Sequence, residues 1–180
     1  MRFQRIGVAT SLVLVSMLVT SAELSGAFAR TSTVVCQAGW LTTRTGSAQG
    51  AAGTMYTTLT MQNRTGRACR LSGTPSAQPV FRSRSKLTRV GPLAQPMAFP
   101  GGGGTVVLKP HRFASVVIGV GDAGNYPAAS CRPGRINGVV VVFRASVNRV
   151  RLVFTMPKTQ VCTKLASTGI SGIASGTKVP

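Results

Sequence analysis

His111 and Asp122 are of the residue types that acid–base catalysis uses, and neither stands in a pattern that catalysis would use. His111, the only histidine, lies between Pro110 and Arg112. A lone imidazole in such a turn is expected to be solvated, although histidine is the side-chain type most often used as a general base. Asp122 sits in Gly121-Asp122-Ala123-Gly124, where a short acidic side chain commonly bonds its own backbone. Serines are plentiful, so a Ser-His-Asp set is arithmetically possible, but there is no G-x-S-x-G elbow. Gly101-Gly102-Gly103-Gly104-Thr105 lacks the lysine of a phosphate-cradling loop and runs into Val106-Val107-Leu108, which reads as strand. Glu23 and Asp122 are the only acidic side chains. A two-carboxylate hydrolase or a magnesium or calcium site therefore cannot be built. The expectation is a non-enzyme with no cofactor and no metal.

Positive charge is the feature that exceeds background. The chain has 21 Lys and Arg against 2 Asp and Glu, a formal charge of +19. With so few acids, nearly every cation lacks an internal partner, and burying an unpaired charge is very costly. These side chains must face water. Arg82, Arg84 and Lys86 recur at every second residue, which places them on one side if Gln78 to Lys86 is a single strand, and Arg89 extends the cluster. Arg149 and Arg151 likewise share the outer side of a strand whose other side is apolar. These six are the candidate polyanion-binding residues. Arg64, Arg67 and Arg70 crowd another turn. The competing reading is a solvated face in an arginine-rich proteome, since the cations are spread along the whole chain.

Export follows from the N-terminus. Arg2 and Arg5 precede an apolar stretch from Ile6 to Ala22, and Ala27-Phe28-Ala29 offers a small-x-small cleavage pattern. Residues 1–29 are read as a signal peptide, with an uncleaved membrane anchor as the alternative. Arg2, Arg5 and Glu23 fall within it, so 19 basic side chains and one acidic side chain, Asp122, remain beyond it. Four cysteines in the exported part, Cys36, Cys69, Cys131 and Cys162, suit disulfides in an oxidising compartment. Four thiols allow three pairings, and the sequence selects none. Nearest-neighbour closure, Cys36–Cys69 and Cys131–Cys162, fits two local strand clusters and is the pairing expected. No close C-x-x-C pair favours zinc.

The elements that must position these groups are strands. Hydrophobic content of 43% with only 6% aromatics implies an aliphatic core. Met55, Leu59 and Met61 alternate with Tyr56, Thr58, Thr60 and Gln62, a half-buried strand expected to return through Asn63-Arg64-Thr65-Gly66 as a hairpin with Cys69-Arg70-Leu71. Asn63-Arg64-Thr65 also matches the glycosylation sequon. Gly91 to Gly104 reads as a long irregular loop. Phe113 to Val120 is β-branched, and Val139-Val140-Val141-Val142 suits a central strand buried on both faces. Val150, Leu152, Phe154 and Met156 alternate in a strand expected to stop at Pro157. Val161 to Leu165 reads as the last strand, and Trp40 is expected in the core beside a disulfide. The prediction is an all-β, antiparallel, immunoglobulin-like, disulfide-linked β-sandwich of about seven or eight strands. Residues 30–167 form one domain, and 168–180 form a flexible tail.

An early Cys36 with Trp40-Leu41, then Ala52-Gly53-Thr54, Leu59-Thr60-Met61, Asn63-Arg64-Thr65-Gly66-Arg67 and Cys69-Arg70-Leu71-Ser72-Gly73-Thr74-Pro75 form a recognisable series. Leu108-Lys109-Pro110, the Val-rich strand, Cys131 and Cys162 near Leu165 complete it. The chain resembles the exported actinobacterial family catalogued as domain of unknown function 4232 over most of residues 36–167, most specifically in N-x-T-G-x-x-C-x-L-x-G-x-P. The resemblance implies an exported, often lipid-anchored, disulfide-linked β-sandwich and no catalytic residues. The chain departs from that family in lacking a lipobox before Cys36, in being far more basic, and in having His111 where a turn glycine is usual.

The function these readings imply is a secreted, non-enzymatic protein of the cell envelope whose cationic surface associates with anionic wall polymers or lipid headgroups. The alternative is a module that binds another exported protein. Specific nucleic-acid recognition is not expected, because no recognition helix is visible and the aromatics do not interleave with the basic runs.

Overall fold

The computed structural model describes residues 33–100, 102–144 and 149–177, all within the unit that begins at Ser32. The expected signal peptide, 1–29, lies outside the described residues. In chain order the strands are β1 (Leu41–Ala51), β2 (Thr54–Asn63), β3 (Cys69–Ser72), β4 (Ser76–Ser83), β5 (Lys86–Arg89) and β6 (Gln95–Met97). Then follow β7 (Thr105–Leu108), β8 (Phe113–Gly121), β9 (Pro133–Arg144), β10 (Arg149–Cys162), β11 (Thr168–Ser171) and β12 (Ala174–Ser175). One sheet runs β1-β2-β8-β11-β6 with β12 also on β8, a second runs β10-β9-β4-β5, and β3 pairs with β7. Among the described residues no helix is long and apolar enough to cross a membrane.

Period-two alternation explains how the sheets share one core. Leu59 and Met61 of β2, Val116 and Ile118 of β8, Val139 and Val141 of β9, and Leu152 and Phe154 of β10 belong to a single buried cluster. Both sheets therefore turn one apolar face inward, a β-sandwich-like all-β arrangement. Trp40 is half-buried against this cluster, which contains Cys36. Two disulfides hold the ends: Cys36–Cys69, with Cα atoms 4.8 Å apart, and Cys131–Cys162, 4.4 Å apart. This is the nearest-neighbour pairing expected, and the loop closures of 33 and 31 residues each remove about 3–4 kcal/mol of unfolded-chain freedom in the chain-entropy picture. The Thr43 and Thr45 hydroxyls of β1 donate to the carbonyls of Val153 and Thr155, at 3.4 and 2.6 Å. They occupy acceptors on the outer edge of β10, which would otherwise be open to another chain.

Several expectations are corrected. Among the described residues twelve strands replace seven or eight, because short segments add to the long ones. Not every pairing is antiparallel: β11 and β6 run parallel. The latter strand lies inside the stretch read as an irregular loop. No hairpin joins β2 to β3. The polar β1 pairs with β2, and β3 pairs with β7. Asn63 is fully buried at the turn; its amide donates to the carbonyls of Arg67 and Leu108 at 2.7 and 3.0 Å, and its oxygen accepts from Thr65. The sequon is thus a structural hub, closed to a glycan in the folded chain.

Pro157 does not stop β10, which continues to Cys162 through a register shift between Thr155 and Thr159. An edge strand tolerates a residue that cannot donate. Val161 and Cys162 close β10 rather than forming a last strand. The end of the chain is not a frayed tail from residue 168 onward. β11 lies between β8 and β6, and Ile170 and Ile173 are fully buried. Its glycines permit that packing: a Cβ on Gly172 would lie 2.5 Å from the Gly103 nitrogen, a separation no side chain tolerates. The same contact engages part of the glycine run that reads as a free loop.

Candidate functional site

His111 and Asp122 flank β8 in sequence. His111 adopts φ +61° in the turn before the strand and is exposed; its nitrogen donates to Asn63 and its carbonyl accepts from Gln62. Asp122 follows the strand and accepts from the Gly124 nitrogen at 2.9 Å, opening a one-turn 3-10 helix. Nine strand residues at ~3.3 Å each separate them by roughly 30 Å. Neither can orient the other. Among the described residues no three of His, Cys, Asp and Glu come together as a metal site.

The arginines behave differently. Every Arg and Lys among the described residues is exposed, and Asp122 is the only acidic side chain among them. Of the six candidate residues, the structure gathers three. Arg89, Arg149 and Arg151 line a groove of about 420 Å³ over the outer face of the second sheet, together with Arg144, Ser76, Gln78, Val80, Leu87, Leu93, Val140 and Val142. The volume lies within the range of small-molecule sites. No carboxylate lines it.

Register explains the grouping. Residues opposite one another on adjacent strands share a face. Arg149 pairs with Arg144, Arg151 with Val142, and Val142 with Ser76. Two residues along, Val153 pairs with Val140, and Val140 with Gln78; beyond that, Val80 pairs with Arg89. Arg144, Arg149 and Arg151 thus crowd one corner, and Arg89 stands at the diagonal corner with an apolar floor between. Val80 and Val140 are only 2% and 5% exposed, yet neither belongs to the shared core cluster. Leu93 sits above them, 51% exposed. Its segment is pinned to β4 at both ends, by Val90 donating to Pro79 and Ala94 to Ala77, while the Gln78 amide donates to Gly91 at 3.0 Å.

Arg82, Arg84 and Lys86 do not share one side of a strand. The chain reverses at Arg84-Ser85, where Arg84 takes φ +50°, so Lys86 lies on the return strand opposite Ser83. Arg82 keeps the outer face, but its Nε turns back to the Arg84 carbonyl at 3.4 Å. None of the three lines the groove.

Sequence reasoning missed Arg144, Leu93 and the apolar floor. The available signal was the four-residue spacing between the valine-rich run ending at Arg144 and the alternating strand beginning at Arg149. Strands so close in sequence tend to pair and set their ends opposite one another. The floor was read as buried on both sides, which holds for Val140 but leaves Val142 half-buried.

No match was found among curated proteins or among solved structures. Residues 36–170, which contain all four cysteines, the Asn63 hub and the arginine groove, match the model of the family described as domain of unknown function (DUF4232), and the chain belongs to that family.

Proposed function

We propose that this chain is an exported, non-enzymatic binding protein of the cell envelope, an immunoglobulin-like sandwich whose cationic surface associates with anionic wall polymers or lipids. The observation that carries the reading is the distribution of charge. Every described Arg and Lys is exposed, the sole acidic side chain among these residues lines a different depression, and four guanidinium groups collect on one sheet face. Such a surface raises the local concentration of anions and does not depend on a single pocket. Pairing of all four cysteines suits an oxidising compartment. The placement of His111 and Asp122 beyond opposite ends of β8 supports the absence of catalysis.

The purified protein should be retained on heparin and on isolated wall polymer at low salt, with retention falling steeply towards physiological ionic strength, where screening shortens to ~8 Å. Elution already at low salt overturns the reading. A salt-insensitive complex with another exported protein would replace it with the interaction module.

A further inference from the structure

We infer that the groove over β4, β9 and β10 takes a single-chain amphiphile bearing one phosphate, with its headgroup at Arg144, Arg149 and Arg151 and its acyl chain along the valine floor. This deepens the envelope-binding reading, on which it rests, by naming what one part of the cationic surface holds. Two observations converge. Arg144 and Arg149 stand directly opposite one another, and Arg151 follows one step along the same face. Like charges so placed repel. An anion between them turns that repulsion into charge-assisted hydrogen bonds, and three planar guanidinium forks match the oxygens of a phosphate better than the two of a carboxylate.

The second observation is apolar. Val80 and Val140 are buried on this face outside the shared core, Val142 and Leu87 are half-buried, and Leu93 is 51% exposed. A bare anion gains nothing from such a floor, and a hydroxyl-rich sugar polymer gains much less than a hydrocarbon chain. An acyl chain gains in proportion to the apolar area it removes from water, here that of Val142, Leu87 and Leu93, since Val80 and Val140 beneath them are already out of it. The floor spans four strands, ~14 Å at ~4.8 Å spacing. At its far corner Arg89 offers a methylene stem beside the chain while its charge stays in water.

Calorimetry on the purified protein tests this with lauroyl lysophosphatidate kept below its micelle concentration, monolaurin, inorganic phosphate and an acidic peptide as probes. Lysophosphatidate should bind once per chain and at least about tenfold more tightly than monolaurin or phosphate, since each of those lacks half the contact. Arg149→Gln with Arg151→Gln should weaken it at least about tenfold, and Leu93→Ser several-fold, with melting temperature largely kept. Equal affinity for inorganic phosphate or for monolaurin, preference for the peptide, or indifference to the arginine pair overturns the inference. Heparin retention without lysophosphatidate binding overturns it alone. Lysophosphatidate binding without heparin retention sustains it and removes the broader field.

Discussion

β8 and β9 are the central strands of their sheets, both rich in valine, and their outer faces meet opposite fates. Over β8 the chain covers itself. Tyr56 pairs with Gly119, the rings of Tyr56 and Phe99 lie 6.1 Å apart, and Met97 packs where the side chain of Gly119 would be. The Ser171 hydroxyl accepts from the Val117 nitrogen at 2.8 Å. On the outer face of β9, Leu93 lines the groove from the segment bonded to β4, and the apolar floor is flanked by Arg89, Arg144, Arg149 and Arg151. A face closed by its own chain is a core, whereas a face left half-open and charged at its rim is a site. The same β-branched composition serves both, so the difference comes from which segment returns over the sheet.

Breaking the closed side should have the largest effects. Ile170→Ala removes a fully buried side chain of β11 that lies beside Ile118 in the shared core, anchoring the strand that closes the edge of β8, and should cost about 2–5 kcal/mol in urea unfolding. A loss below about 1 kcal/mol would mean that β11 is dispensable. Gly119→Val comes next. Its Cβ would lie 3.1 Å from the Tyr56 ring and 3.3 Å from the Met97 sulfur, so overpacking should cost about 1–3 kcal/mol.

The open side should respond weakly. Leu93→Ser should change stability by less than about 0.5 kcal/mol, as surface substitutions do. A cost matching that of Gly119→Val would erase the distinction between the two faces. The smallest effect has the opposite sign. Arg144→Glu puts opposite charges across from each other at Arg149 and should raise the melting temperature slightly at low salt, with the gain vanishing at ~1 M salt.

Much of this was legible before any coordinates. The alternation in β2 and β10 marks the core face. The shortage of acids forces Arg70, Arg112 and Arg151 alike into water, and nearest-neighbour spacing favours the observed cysteine pairs. Three features were not legible. β1 has Leu41 as its one large apolar side chain and so carries no alternating hydrophobic signal; it is held by strand pairing and by the hydroxyls of Thr43 and Thr45. β11 is short and glycine-flanked, and only the unfilled edge of β8 makes it a strand. Arg82, Arg84 and Lys86 promised a stripe that a two-residue reversal at Arg84 dissolves.

By itself the amino-acid sequence determined what must be inside and what must be outside: strands of period two, an aliphatic core and cations with no acid to bury beside them. Those outcomes follow from local geometry and from transfer out of water, which each residue carries with it. Only the tertiary structure decided which cations are neighbours. Arg89 arrives from a separate strand at the corner diagonal to Arg144 and Arg149, and Leu93 reaches the groove because its segment is bonded to β4. Register between strands far apart in the chain depends on long-range pairing, to which no local pattern is sensitive.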